Sequence, residues 1–300
     1  MSRISVIGAG NVGASVAYAC VLTRACSEVI MVDIDVPRCQ AQVLDIEDTA
    51  NLHECKIRTG TFKDAGQSDI IVITAGAKQK TGEARTELIG RNFEILNDCI
   101  SQMKPFNPST ILLLVSNPVD ILTGIAQMIS GLPKSQVIGT GTFLDSSRLR
   151  AELSTRLNVS ASAIHAYVLG EHGDSQFAAF SCATVANTKL LNFPGISGIN
   201  LEELATATMK KAYKIIDAKG STYYGIGGCT ASICTSILRN TKQIRPVSHY
   251  VDEYGVCFSL PCVLGAKGIM QTVHPDLSPD EKEKLSKSAS ALKAVISEYV

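Results

Sequence analysis

A histidine and a nearby pair of charged residues could carry acid–base chemistry in this sequence. His172 lies in the polar segment GEHGDS, residues 170–175, directly after an apolar run typical of a strand. A loop at this point would present the imidazole to a cleft, where it could exchange a proton near neutral pH. Asp145 and Arg148 stand three residues apart in a predicted helix and therefore share a face. The carboxylate could orient an imidazole, and the planar guanidinium could bind a carboxylate through two hydrogen bonds.

Both features also have a structural interpretation. An isolated histidine is more often a structural residue than a catalytic one. Asp145 and Arg148 could form only an intrahelical ion pair, worth roughly a few tenths of a kcal/mol. The pattern of residues by itself leaves both interpretations open.

The segment GAGNVG, residues 8–13, has the spacing of a phosphate-binding turn. It follows a strand-like run and opens a predicted helix, so its glycines would permit a tight turn and close approach of the backbone to a pyrophosphate. Asp33 ends the second predicted strand, where its carboxylate would bind a ribose and repel a 2′-phosphate. The combination predicts NAD rather than NADP. A glycine-rich turn of structural use only is the alternative.

A polar segment, AGAKQKTGEAR at residues 75–85, lies between a predicted strand and a predicted helix. Ligands of open α/β sheets bind beyond the carboxyl ends of the strands, so this segment could close over a ligand as a lid. An ordinary solvated loop is the more frequent outcome for such a sequence. Asn117 follows the next predicted strand and would lie at the same edge of the sheet.

The elements that must position these residues fall into two parts. Up to residue 142, short β-branched runs alternate with helical patterns, which predicts an α/β fold with a doubly wound parallel sheet. The predicted strands there are 4–7, 29–32, 57–59, 70–74, 111–115 and 136–139, and the predicted helices are 11–23, 37–50, 87–103 and 119–129. We therefore expect a dinucleotide-binding domain at residues 1–142.

From residue 143 the pattern becomes α+β, which predicts a substrate-binding domain at residues 143–300. Helices are expected at 143–157, 201–218 and 224–239, and a last helix begins after Ser278, which with Glu281 has the spacing of a capping box. Strands are expected at 164–169, 178–185, 243–251, 256–260 and 268–273, with a loop at 187–198.

Composition excludes several classes of protein. The chain of 300 residues has 28 basic and 28 acidic residues, and zero net charge argues against nucleic acid or an anionic membrane surface as a partner. No apolar run is long enough to span a membrane. Ten cysteines are scattered without CxxC spacing and the five histidines form no ligand cluster, which predicts reduced thiols, a cytoplasmic location and no metal site.

Taken in order, the motifs resemble those of the L-lactate/malate dehydrogenase family along essentially the whole chain, and most of all the bacterial-type lactate enzymes. They are GAGNVG, VD ending at Asp33, TAGAKQKTGEAR (74–85), SNPVD (116–120), GTGTFLDSSRLR (139–150), GEHGDS and KGSTYYGIG (219–227). The resemblance implies a Rossmann NAD-binding domain fused to an α+β catalytic domain. It also implies reversible hydride transfer between NADH and pyruvate and a cytoplasmic homotetramer.

The resemblance assigns roles to the charged residues. His172 is similar to the family's proton donor and acceptor, Asp145 to the carboxylate that holds its ring and raises its pKa, and Arg148 to the group that binds the substrate carboxylate. Arg85 resembles the lid arginine that stabilises negative charge developing on the carbonyl oxygen.

The resemblance also assigns binding positions. Asn117 and Thr222 match substrate-contacting residues of the family. The positions that match its dinucleotide-binding residues are Gly8, Gly10, Val12, Gly13, Asp33, Arg38, Gly76, Ala77, Val115, Asn117 and Thr140.

Gln79 occupies the substrate-binding lid position at which the lactate enzymes carry glutamine and the malate enzymes carry arginine. Oxaloacetate has a second carboxylate, and burying it without a cation costs several kcal/mol, on the order of a hundredfold or more in rate. Lys78 and Lys80 flank Gln79, but their ammonium groups gain by staying hydrated. We therefore predict an L-lactate dehydrogenase. Malate dehydrogenase, or an L-2-hydroxyacid dehydrogenase that accepts a broader set of 2-oxo acids, is the alternative.

The sequence also bears on regulation by a ligand and on other kinds of dinucleotide-binding protein. Arg150 and His165 match the positions with which bacterial-type lactate dehydrogenases bind fructose-1,6-bisphosphate, which makes allosteric activation a hypothesis, with a solvated surface arginine as its alternative. A catalytically silent dinucleotide-binding protein would have no need of the charged residues described above. An NADP reductase of another family is disfavoured by Asp33.

Overall fold

The structure, a computed structural model, describes residues 2–77 and 85–298. The strands of the N-terminal half are β1 (Arg3–Ile7), β2 (Glu28–Val32), β3 (Lys56–Thr59), β4 (Ile70–Ile73), β5 (Ile111–Leu114) and β6 (Val137–Gly139). The helices between them are α1 (Asn11–Leu22), α2 (Val36–Ala50), α3 (Phe62–Gly66), α4 (Arg85–Met103) and α5 (Val119–Ser130). This alternation confirms the predicted α/β fold.

These six strands are parallel and lie side by side in the order β6-β5-β4-β1-β2-β3. Every residue of β2, β4 and β5 is buried, which explains why their sequences are continuously apolar rather than alternating. Between β1 and β4 the order of strands reverses, so the loops that follow these two strands diverge and leave a crevice at their carboxyl ends. The glycine-rich turn and the start of the polar segment both lie at this crevice.

The C-terminal half adds four helices and eight strands among the described residues. The helices are α6 (Phe143–Leu157), α7 (Leu201–Lys219), α8 (Tyr224–Leu238) and α9 (Pro279–Ile296). The strands are β7 (Ile164–His165), β8 (Val168–Leu169), β9 (Phe177–Ala178), β10 (Thr184–Val185), β11 (Thr188–Lys189), β12 (Gln243–Val251), β13 (Val256–Gly265) and β14 (Gly268–Thr272).

The main sheet continues into the C-terminal half. The antiparallel strands β12, β13 and β14 join it through the pairing of Ser248 on β12 with Gly139 on β6, which gives nine strands in all. A side chain at position 139 would place its Cβ 2.3 Å from Thr123 Oγ1 and 3.0 Å from Ser248 Cβ. Glycine at 139 is therefore required for this junction between the two halves.

Two predicted strands are wrong in detail. The run 164–169 is divided into β7, which pairs with β10, and β8, which pairs with β9, because the chain passes from one small sheet to another at residues 166–167. The run 178–185 is divided between β9 and β10 for the same reason. The predicted loop 187–198 contains β11, paired with β10. Helix α3 was not predicted, since five residues are too few to show a helical period.

The apolar side chains form one core on each face of the main sheet and a smaller one in the C-terminal half. On one face α1, α2 and α8 pack, and on the other α4, α5 and α9. The small core lies between α6, α7 and the short strands. Because α8 and α9 complete the cores on either face of the sheet, both halves share two of the three cores.

All ten cysteines have free thiols, most of them buried. In residues 2–77 and 85–298, no helix has the length and hydropathy needed to cross a membrane. The same residues contain no group of three or more His, Cys, Asp and Glu side chains arranged to hold a metal ion.

Candidate functional site

The structure brings His172 and Asp145 together. His172 Nδ1 lies 2.8 Å from Asp145 Oδ2, although the two residues are 27 positions apart along the chain. An ionised carboxylate only accepts hydrogen bonds, so Nδ1 carries a proton and Nε2 is left to exchange a proton with a ligand. Arg148 Nη1 lies 3.3 Å from the other oxygen of Asp145. The Asp145 side chain is 2% exposed, whereas that of His172 is 30% exposed, so the imidazole remains accessible.

The segment that carries His172 is held from several elements. Gly170 exchanges two backbone hydrogen bonds with Ser259 of β13, at 3.1 and 3.0 Å. The backbone N–H of Glu171 donates to Ser288 Oγ of α9 at 2.8 Å. Gly170 has a φ of +88°, and a Cβ there would lie 2.8 Å from Ser288 Oγ, so glycine is required. The imidazole therefore projects from a loop whose backbone is fixed.

The start of α6 is tied to the same region. Ser146 Oγ accepts a hydrogen bond from the backbone N–H of Val168 at 2.8 Å, and Thr142 Oγ1 donates to the carbonyl of Val168 at 2.5 Å. These bonds hold the first turn of α6, which carries Asp145, against β8, which leads into the His172 loop. These bonds from side chains to the backbone thereby fix the start of α6 relative to the His172 loop.

The charges around the imidazole favour its protonated form. Burial by itself would raise the pKa of Asp145, but the hydrogen bond and charge of His172, with the charge of Arg148, hold that pKa below its usual range. Burial would lower the pKa of His172, but the hydrogen bond and charge of Asp145, with the charge of Asp120, outweigh burial and the opposing Arg148, so the pKa is raised. The site is thus built for an ionised carboxylate beside an imidazolium.

The glycine-rich turn has three glycines with different surroundings. Gly8 has a φ of +105°, and a Cβ on Gly13 would lie 1.8 Å from Gly8 O, so these two positions shape the turn itself. Apart from its two neighbours in the chain, no residue has a heavy atom within 4 Å of the place that a Cβ on Gly10 would occupy. Gly10 is also the N-cap of α1 and makes no side-chain cap, which leaves the backbone N–H groups of the helix start available to an anion.

Asp33 joins this turn to the end of β2. Its Oδ2 accepts a hydrogen bond from the backbone N–H of Ala9 at 2.5 Å, and its Oδ1 accepts one from Asp35 at 2.8 Å. The carboxylate is half-buried and keeps further lone pairs for ribose hydroxyls. An anion-binding helix start with an open glycine and an adjacent carboxylate fits the pyrophosphate and ribose of NAD.

A buried asparagine that the sequence analysis missed orders the opposite side of the crevice. Asn92, on α4, is 2% exposed. Its Oδ1 accepts from the backbone N–H of Ala77 at 2.7 Å, and its Nδ2 donates to the carbonyl of Asn117 at 2.9 Å. Asn92 therefore links the loop after β4 to the loop after β5. Nothing in the sequence marks it, since it stands in an ordinary helical pattern.

The remaining predicted residues lie in several places. Gly76, Ala77, Val115, Asn117 and Thr140 follow the carboxyl ends of β4, β5 and β6, which puts them at the crevice. Val12 is half-buried in the first turn of α1, Arg38 is exposed on α2, and Thr222 is half-buried between α7 and α8. Gln79 lies outside the described residues. Arg85 begins α4, and its side chain also lies outside what the structure describes.

The two residues of the predicted regulatory site lie on neighbouring elements. Arg150 is half-buried on α6, and its Nε donates to Ser146 O at 3.3 Å. His165 is exposed on β7, which packs against α6. Arg150 and Arg148 are on the same helix, but only Arg148 contacts Asp145.

Comparison with known protein families gives two matches that together span nearly the whole chain. Residues 2–139 match the family model described as lactate/malate dehydrogenase, NAD binding domain. Residues 142–300 match the lactate/malate dehydrogenase, alpha/beta C-terminal domain.

Individual relatives agree with these matches. The chain is 47% identical to L-lactate dehydrogenase A of Rhizopus oryzae over 294 residues, which cover 98% of this chain and 92% of the relative. It is 38% identical to an L-lactate dehydrogenase of Clostridium botulinum, in a match that covers 97% of this chain and 95% of the relative.

Solved structures show the same likeness. One is a lactate dehydrogenase from a Medee basin deep-sea metagenome library, with a TM-score of 0.95, 36% identity and coverage of 99% of this chain and 98% of that one. Another is the minor L-lactate dehydrogenase of Enterococcus mundtii, with a TM-score of 0.94, 34% identity and the same coverage.

Proposed function

We propose that this chain, which belongs to the lactate/malate dehydrogenase family, catalyses the reversible reduction of pyruvate to L-lactate with NADH. The observation that carries the proposal is the contact of 2.8 Å between His172 and Asp145, beside Arg148 and a crevice that fits NAD. A catalytically silent dinucleotide-binding protein would have no use for a buried carboxylate that raises the pKa of an accessible imidazole.

In the proposed mechanism each charged residue has one task. Arg148 binds the carboxylate of pyruvate, which places the carbonyl oxygen near His172 Nε2. Bound NADH supplies the hydride. His172 gives its proton to the carbonyl oxygen, and Asp145 stabilises the imidazolium before the transfer and holds the ring after it. In the direction of lactate oxidation, neutral His172 accepts the proton.

The lid and the pocket wall complete the proposal. Arg85 stabilises the negative charge that develops on the carbonyl oxygen. Asn117 donates a hydrogen bond to the substrate, and Thr222 forms a wall of the pocket. Gln79 supplies no positive charge, so the second carboxylate of oxaloacetate would be buried without a cation.

The residues proposed to bind NAD lie along the crevice. The glycine-rich turn and the start of α1 bind the pyrophosphate, and Asp33 binds the adenosine ribose. The other proposed contacts come from Val12, Arg38, Gly76, Ala77, Val115, Asn117 and Thr140.

The test is the oxidation of NADH by pyruvate and by oxaloacetate under identical conditions. We expect a preference for pyruvate of a hundredfold or more in kcat/KM, on the order of the cost of an unpaired buried carboxylate. A preference for oxaloacetate would show that another side chain supplies the cation, and would make the alternative, malate dehydrogenase, correct.

A histidine variant tests the assignment of the proton donor. We expect His172→Ala to lower kcat with pyruvate by about 10³-fold while the Kd of NADH stays within about twofold. His274→Ala is the matched control, because His274 is an exposed histidine whose imidazole pairs with Glu253. A His172→Ala enzyme as active as the control would refute the proposed mechanism.

Assembly and regulation belong to the same proposal. We propose that the protein is a cytoplasmic homotetramer. Each chain is divided into an NAD-binding domain at residues 1–142 and a catalytic domain at residues 143–300. Fructose-1,6-bisphosphate activates the enzyme by binding at Arg150 and His165. Sedimentation equilibrium should give about four times the chain mass of 31.9 kDa. The bisphosphate should raise activity at subsaturating pyruvate, and an Arg150→Gln variant should lose that response. An unchanged rate would exclude this regulation.

A further inference from the structure

A second buried carboxylate contacts the segment that carries His172. Asp120 lies in the first turn of α5, three residues after Asn117, and is 1% exposed. Its Oδ2 accepts a hydrogen bond from the backbone N–H of His172 at 2.6 Å. The two residues are 52 positions apart in the chain, so this bond ties α5 to the catalytic loop.

Removing a carboxylate from water is expensive unless its charge is compensated. The groups that face Asp120 are His172 and Glu171 from the loop, Ser248 from β12 and Cys257 from β13. Asp120 Oδ1 and Ser248 Oγ are both buried and lack a hydrogen-bond partner of good geometry among the described residues. The cationic form of His172 is the one positive charge among the groups named here.

The pKa of Asp120 agrees with this environment. Burial raises it to about 6, and the Ser248 hydroxyl, the His172 N–H and the His172 charge oppose that rise only in part. Asp120 is therefore ionised at neutral pH, where its charge acts on the imidazole. In turn, the Asp120 charge is one of the influences that raise the pKa of His172.

We infer that Asp120 is a positioning residue for His172: its hydrogen bond holds the backbone of the catalytic loop, and its negative charge acts with that of Asp145 to favour the protonated imidazole. The predicted effect of Asp120 on turnover rests on the proposed function, whereas its predicted effect on the His172 pKa does not. The imidazole contacts Asp145 of α6, which also contacts Arg148, and the backbone N–H of His172 contacts Asp120 of α5. Burial and the charge of Arg148 lower the pKa of His172, whereas Asp145 and, to a smaller extent, the charge of Asp120 raise it.

The two parts of the inference can be separated by two substitutions. Asp120→Asn keeps an oxygen that can accept the His172 N–H but removes the charge. Asp120→Ala removes both. The matched control is Asp98→Asn, which removes one negative charge from an exposed position on α4.

We expect the Asp120→Asn variant to fold, so that a change in its His172 pKa cannot be ascribed to unfolding. The folded-state pKa of Asp120 lies above its unfolded value of 3.8, so ionising this group costs stability as the pH rises from about 4 to about 6. Removing the charge should therefore leave the protein at least as stable at pH 7.5. A thermal unfolding curve of each variant checks this directly.

The first measurement is the pKa of His172 itself, by NMR of protein labelled at histidine Cε1, which needs no turnover. The chain has five histidines, and a His172→Gln sample assigns the signal. We expect Asp120→Asn to lower the His172 pKa by about one unit, the size of effect of one nearby charge in a partly buried site. We expect no change in Asp98→Asn.

The second measurement is the pH profile of pyruvate reduction. In Asp120→Asn the fall in kcat/KM should move about one unit to lower pH, with kcat near the wild-type value at pH 6. In Asp120→Ala, kcat should fall by about a hundredfold, the effect expected when a catalytic group is displaced by about 1 Å. The Kd of NADH should stay within about twofold in both.

The outcomes distinguish this inference from the proposed function. If wild type does not reduce pyruvate, the proposed function fails, and the NMR titration still decides the inference. A His172 pKa in Asp120→Asn equal to that of Asp98→Asn overturns the role of the charge. An Asp120→Ala enzyme that folds and retains wild-type kcat overturns the role of the hydrogen bond.

Discussion

The glycine-rich turn and the His172 site lie in the same molecule but are assembled over different distances along the chain. The turn is made by residues 8–13 and is held by Asp33, which accepts from the N–H of Ala9, and by Thr74 Oγ1, which donates to the carbonyl of Gly8. The His172 site requires α5, α6, β13 and α9 to arrive at one loop. A phosphate-binding turn can thus be encoded mainly by a short segment, whereas holding an imidazole beside charges depends on elements from both halves of the chain.

The two regions also use backbone and side chains differently. The turn offers backbone N–H groups at the start of α1, so its requirement is for residues without a Cβ at Gly8 and Gly13. The His172 site offers side-chain charges in a buried setting, so its requirement is for electrostatic balance. Substitutions should therefore damage the turn through steric clash and the His172 site through charge.

The largest expected effect comes from removing the carboxylate at the His172 site. Asp145→Ala leaves the imidazole without its hydrogen-bond partner, so kcat with pyruvate should fall by about 10³-fold, within the range of general acid–base catalysis. The Kd of NADH, measured by fluorescence, should stay within about twofold because the turn is untouched. Weakened NADH binding of similar size would show that the two regions are not separable.

A matched pair of glycine variants should instead weaken NADH binding by altering the glycine-rich turn. In Gly13→Ala the new Cβ would lie 1.8 Å from Gly8 O, so the Kd of NADH should rise by about a hundredfold and stability should fall by about 1–3 kcal/mol. In Gly10→Ala the new Cβ meets nothing within 4 Å, so stability should be unchanged and only NADH binding should weaken. Equal destabilisation of both variants in urea titrations would contradict this account.

A smaller effect is expected at Asp33. Asp33→Asn keeps an acceptor for the N–H of Ala9 but removes the charge that repels a 2′-phosphate. The ratio of kcat/KM for NADPH to that for NADH should rise by about tenfold, a difference of about 1.4 kcal/mol. Asp35→Asn, two residues further along the chain and exposed, is the control, because asparagine can keep the N-cap of α2. An unchanged cofactor ratio would show that Asp33 serves only to anchor the turn.

The smallest effect, and a specific one for the His172 site, is the dependence on pH. Because the pKa of His172 is raised above its ordinary value of 6.5, kcat/KM for pyruvate should be flat at low pH and fall as the pH rises through that elevated pKa. For lactate oxidation the dependence should be inverted, since the neutral imidazole is then required. A pyruvate profile that falls at or below pH 6.5 would contradict the charge balance described here.

The raised pKa also has a consequence for stability. Protonated His172 gains from Asp145 in the folded state, so this contribution is complete below the unfolded pKa of 6.5 and is lost as the pH rises through the folded pKa. Asp145 has a lowered pKa, so its contribution is present above 3.8 and is lost as the pH falls through its folded pKa. Stability of the wild type minus that of Asp145→Ala, measured between pH 5 and 9, should decrease at the alkaline end.

Much of the fold could be predicted because its signals are local. The α6 boundaries, residues 143–157, were predicted as the structure has them, and the capping box at Ser278 correctly marked the start of α9. The strands β7 to β10 were predicted as two longer runs, since an apolar run does not show where the chain crosses from one sheet to another. Helix α3 was missed because its capping box at Thr61 begins only one and a half turns.

Some residues of the His172 site were likewise predicted from local spacing, whereas others could be identified only from the packing. The spacing of Asp145 and Arg148 predicted a shared helical face, and the structure shows their contact. The partnership of His172 with Asp145 came from family resemblance. Asn92 and Asp120 were given no role, because an asparagine inside a helical pattern and an aspartate in a helix's first turn are both common. Only the packing of α4 and α5 beside the loops makes them part of the site.

The sequence by itself determined the alternation of strands and helices, the glycine-rich turn and the absence of net charge, because each depends on residue type and on spacing within a few positions. The tertiary structure decided which charges meet. The separations of 27 positions from Asp145 to His172 and of 52 positions from Asp120 to His172 permit many arrangements of the chain. Burial of the apolar cores and the hydrogen bonds from α5, α6, β13 and α9 select one of them, in which one carboxylate binds the imidazole of His172 and another binds its backbone N–H.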